Sequence, residues 1–100
     1  MAPITEELEI AEQAREALNA LSSATVDEAI STLTNAKHIA TTAMTPTPLN
    51  EQALNDSRYE VITKFNDLIQ VLQHGSFAPH KIESARRAVE DWIKELKALD

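Results

Sequence analysis

Residues 50–75 read NEQALNDSRYEVITKFNDLIQVLQHG, and the spacing within this stretch decides the fold. Leu54, Val61, Ile62, Phe65, Leu68, Ile69 and Leu72 recur at intervals of three and four, so they share one side of a helix turning about 100° per residue. Asn50 is a candidate N-cap, and Gly75, the only glycine in the chain, is a C-terminal stop. Asn55-Asp56-Ser57 places three weak helix formers in a row and offers an alternative break. The continuous helix over 50–74 is the reading adopted.

A chain with one glycine lacks the means for most sites that cradle phosphate, build an oxyanion hole or carry a nucleophile on a strained turn. Its 100 residues suit a single domain with one core. Fifteen alanines against four aromatic residues predict a thin core with closely spaced helices and little room for a cofactor, and none is expected. The absence of cysteine excludes disulfides, thiolate catalysis and sulfur-ligated metals.

Working outward from the central stretch, the same periodicity recurs three times. A first helix is predicted over 5–22, capped by Thr5, with Ile10, Ala14, Ala17, Leu18 and Leu21 inward and Leu8 and Ala11 at the margin. Thr25-Val26-Asp27-Glu28 has the form of a capping box and opens a second helix over 26–44, which buries Val26, Ala29, Ile30, Leu33, Ala36, Ala40 and Met44. Thr45-Pro46-Thr47-Pro48 ends it, since proline removes amide donors and biases the preceding residue toward extended backbone. A fourth helix over 79–99 carries Ile82, Ala85, Val89, Trp92, Leu96 and Leu99 inward, and pairs Glu83 with Arg87 and Glu90 with Lys94 on its outer side. The fold class expected is all-α, an antiparallel four-helix bundle forming a single domain over 1–100.

Catalytic and metal chemistry find little footing. His74 and His80 flank one turn and His38 stands apart, which falls short of a tetrahedral ligand set, so no metal is expected. No serine lies in a G-x-S-x-G context, and no Glu-x-x-His occurs; the chain is read as non-enzymatic. No stretch approaches the apolar length of a membrane span and no signal peptide is recognised, so the expected location is the cytoplasm, without a membrane partner.

The net charge of −7 is uneven: residues 1–34 hold seven acids against Arg15 alone. Such a surface disfavours direct nucleic-acid binding, which requires Lys and Arg to displace counterions. By contrast, Lys37 is the only charge from Ala29 to Asn50. Interfaces are depleted of charge where contact removes water, so Thr34, His38, Ile39, Thr41 and Thr42 are candidate contact residues, joined by Tyr59, Val71, Phe77 and Trp92 off or at the edge of the main stripes. The function expected is binding to another protein, including a second copy of the chain. The alternative is an acidic inhibitor whose first helix, through Glu9, Glu12 and Glu16, imitates phosphates in the basic groove of a nucleic-acid-binding protein.

Overall fold

Four helices follow one another along the chain: α1 (Ile4–Asn19), α2 (Val26–Ala43), α3 (Gln52–Gln73) and α4 (Pro79–Ala98). The computed structural model describes residues 4–44 and 52–98, and among these there is no strand. α1 packs against α2 and α4, and α3 packs against the same two, which places α1 opposite α3 and α2 opposite α4 on the diagonals. The result is an antiparallel four-helix bundle with extents of 40 × 19 × 19 Å. The starts of α1 and α3 share one end with the finishes of α2 and α4.

α3 runs unbroken through Asn55-Asp56-Ser57 because all three side chains are engaged. Ser57 Oγ donates to the Leu54 carbonyl at 2.7 Å, Gln52 Nε2 donates to Asp56 at 2.9 Å, and Asn55 Oδ1 accepts from Arg58 Nη1 at 3.0 Å. Its finish follows from Gly75, whose φ of +79° is the left-handed conformation that non-glycine residues avoid. There the Gly75 amide donates to the Leu72 carbonyl at 3.0 Å and the Ser76 amide to Val71 at 2.9 Å, closing carbonyls that the helix leaves open.

Other boundaries correct the sequence reading. α1 begins at Ile4, so Thr5 lies inside the helix and is not its cap. Thr25 precedes α2 but makes no side-chain cap bond. Its hydroxyl instead accepts from the Ser22 amide at 3.0 Å and donates to the Ala20 carbonyl at 3.1 Å, binding the α1–α2 turn together. α4 starts on Pro79, where a missing amide costs nothing. The Asn50 cap, the Thr-Pro-Thr-Pro connector and Leu99 lie outside the described residues.

The core is one cluster with Trp92, Phe65, Leu33, Leu68 and Leu96 as its large buried members. Fully burying a side chain of this kind contributes about 1.5–3 kcal/mol before entropy is counted. α1 and α2 add mainly alanine: Ala11, Ala14, Ala29, Ala36 and Ala40 are all buried. α1 is rotated relative to the expected stripe. Ala11 is fully buried, whereas Ile10 and Leu21 are only partly so, because the alanine side permits the closer approach. At Glu90 the expected partner Lys94 is replaced by Arg15 of α1, at 3.6 Å, while Glu83–Arg87 forms at 3.9 Å.

Candidate functional site

Along α2, Thr34, His38, Thr41 and Thr42 are exposed, as are Ser31 and Asn35 beside them. The threonines do not offer their hydroxyl protons to solvent. Thr34 donates to the Ile30 carbonyl at 2.7 Å, Thr41 to Lys37 at 2.8 Å and Thr42 to His38 at 2.9 Å. Each satisfies its hydroxyl donor within its own helix. At these three positions covering the face strands no hydroxyl donor, which lowers the desolvation cost of contact there.

The one charge in this region marks the seam with α3, where Lys37 Nζ lies 3.4 Å from Asn66 Oδ1. Tyr59 stands two helical turns before Asn66 on the same outer side of α3, about 10 Å along the axis. It is 65% exposed, the most exposed large hydrophobic residue among those described. α2 and the start of α3 thus present Thr34, His38, Thr41, Thr42 and Tyr59 on neighbouring strips.

The remaining candidates are dispersed. Ile39 is half-buried and turns toward α1, where with Glu6, Glu7, His38 and Thr42 it lines a shallow pocket of about 210 Å³. Val71 is partly buried against the core. Phe77 is 40% exposed but follows α3, at the opposite end of the bundle from Tyr59. Trp92 is fully buried, which removes it from any contact surface. Its expected place at the edge of the α4 stripe gives way to the bundle interior.

In the acidic row, Glu9 and Glu16 are exposed. Glu12 between them is drawn toward Arg15, 3.9 Å away, which also approaches Glu90. A cation therefore flanks the row on its α4 side. A groove of about 470 Å³ between α1 and α4 contains Arg15, Arg86 and Arg87 against Glu83, Glu90 and Asp91, so opposite charges face each other there and no single sign dominates.

Sequence reasoning missed the most tightly organised polar group. Glu7 of α1 and Arg58 of α3 are 3% and 6% exposed. The guanidinium donates from Nε to Glu7 Oε2 and from Nη2 to Oε1, both at 2.7 Å, and Trp92 Nε1 donates to Oε2 at 2.7 Å. Three short bonds to a carboxylate offset the cost of removing it from water. Among the described residues no buried side-chain nitrogen or oxygen lacks a partner. A signal for this pair was present: Glu7 precedes Ala11, Ala14 and Leu18 by four, seven and eleven positions, and Arg58 sits at equivalent spacing from Leu54, Val61 and Phe65. Opposite charges on two apolar stripes mark a buried pair.

His74 Nδ1 lies 2.7 Å from the Gln70 carbonyl of its own helix. Among the described residues no group of three or more potential ligands is placed to hold a metal, and no helix is long and apolar enough to cross a membrane. Comparison with protein-family models, with curated proteins and with solved structures gave no match.

Proposed function

We propose that this chain is a non-enzymatic binding protein that works through the outer face of α2, extended by Tyr59 of α3, and that its partner is another protein, a second copy of the chain included. The observation that carries this reading is the inward bonding of Thr34, Thr41 and Thr42, which lowers the cost of covering the face. Charge distribution favours self-contact at the same place. Two copies each at −7 repel one another through most of their surface, and the stretch from Ala29 to Asn50 adds no acid to that repulsion.

One helix face and a neighbouring tyrosine form a small interface, below the roughly 1,200 Å² of total area typical of stable complexes. Association is accordingly weak and concentration-dependent. Sedimentation equilibrium from micromolar to millimolar concentration is expected to show the average mass rising above the monomer's 11.1 kDa. Thr34→Glu/Thr41→Glu, which adds like charge without harming helix propensity, is expected to restore the monomer. A wild-type monomer throughout, with no protein partner recovered from its host, would refute the reading.

The acidic-mimic alternative has less support, because Arg15 flanks the Glu9, Glu12 and Glu16 row and approaches Glu12. The two readings separate by salt. Binding through carboxylates to a basic groove weakens steeply as salt is raised, whereas contact through the α2 face changes little.

A further inference from the structure

Alanine seams bring helices close but define their relative height poorly. Among the described side chains, Leu18 and Leu33 are the large apolar ones buried from α1 and α2; the other buried apolar residues there are Ala11, Ala14, Ala29, Ala36 and Ala40, with Leu8, Ile10, Val26 and Ile30 partly buried at the margins. Sliding one helix by a turn, about 5.4 Å, carries Ala11 to the level of Ala14 or Ala36 to that of Ala40, so only Leu18 and Leu33 among the buried apolar side chains resist the shift. Hydrophobic burial is non-directional and distinguishes weakly between such arrangements.

Directional bonds do distinguish them. Only one height of α1 brings both Glu7 oxygens within 2.7 Å of Arg58 and one of them within 2.7 Å of the Trp92 indole. A slide of one turn leaves a carboxylate, a guanidinium and an indole N–H in the core without partners, which is among the costliest errors a core can contain. The bonds also join α1 to α3 across a diagonal along which the helices do not otherwise pack.

We infer that Glu7, Arg58 and Trp92 form a register lock, which holds α1 at one height against α3 and α4 and selects one packing from those the alanine seam allows. Its role is conformational choice. Replacing a buried ion pair by apolar groups of similar volume is often neutral or stabilising, so the lock is separable from net stability.

The test compares Glu7→Leu alone with Glu7→Leu/Arg58→Met. The single variant strands the guanidinium and is expected to lower the melting midpoint by more than about 15 °C. The double variant strands only one neutral indole donor and is expected to remain helical with a midpoint within about 10 °C of wild type. Its amide spectrum should nevertheless show multiple or broadened α1 signals, and it should bind a hydrophobic dye that the wild type does not. Leu33→Ala is the control: it lowers the midpoint by about 10 °C or more through a cavity, yet keeps one sharp set of signals. A double variant with a single sharp spectrum and wild-type α1 contacts would overturn the lock. A double variant that fails to fold would overturn it equally, since the cluster would then be supplying stability and not choosing among packings.

Discussion

Glu7 and Arg58 meet across the diagonal of the bundle through two parallel 2.7 Å hydrogen bonds, although α1 and α3 are not packing neighbours. The contact is possible because the alanines around it keep the helices close. A bulkier seam would hold the diagonal pair apart. Trp92 adds a third bond, to Oε2, from α4, so three of the four helices converge on one carboxylate.

Removing either member of this pair strands the other in a dry interior. Glu7→Ala and Arg58→Ala are each expected to lose about 3–5 kcal/mol in urea unfolding. A loss below about 1 kcal/mol for both would show that the pair is reached by water.

Gly75 tests backbone conformation separately from packing. A Cβ placed there meets nothing within 4 Å, yet φ is +79°. Gly75→Ala is therefore expected to cost about 1–2 kcal/mol through strain alone, and Gly75→Asn less, since asparagine tolerates the left-handed region. Equal stability of Gly75→Ala and wild type in thermal unfolding would contradict the helix stop described here.

Close approach of the helices makes a steric prediction on α2. Ala36 is fully buried and Thr34, two positions earlier, is exposed. Ala36→Leu should overpack the seam and cost about 1–3 kcal/mol, while Thr34→Leu should leave stability within about 0.5 kcal/mol. Comparable effects of the two substitutions on the unfolding midpoint would mean that the seam is loose.

Arg15 bridges Glu12 and Glu90 at 3.9 and 3.6 Å, but its side chain is 34% exposed and Glu90 is 57% exposed. Solvent screening and side-chain entropy reduce such pairs, so Arg15→Ala is expected to change stability by less than about 1 kcal/mol. A larger loss that persisted in high salt would point to packing of the arginine stem.

The four helices were legible because periodicity is a property of the chain alone. The Leu54–Leu72 stripe, the stop at Gly75 and the start of α4 at Pro79 all follow from local chemistry. Thr25 failed as a cap because its hydroxyl had competing partners in the turn, at Ser22 and Ala20, that a capping pattern does not reveal. Trp92 was read correctly as inward on α4, but its second role as a contact residue does not hold. An indole needs a hydrogen-bond acceptor to be buried, and its acceptor is 85 residues away in sequence. The outer face of α2 was legible as uncharged, but the bonding of its threonines to their own helix required coordinates.

Contact through the outer face of α2 is tested most directly by amide chemical shifts followed from micromolar to millimolar concentration. Concentration-dependent shifts or broadening concentrated between Thr34 and Thr42 and at Tyr59, and absent from Thr34→Glu/Thr41→Glu, are the predicted result. Shifts centred on Glu9 and Glu16 of α1, or a spectrum unchanged over the whole range, would contradict it.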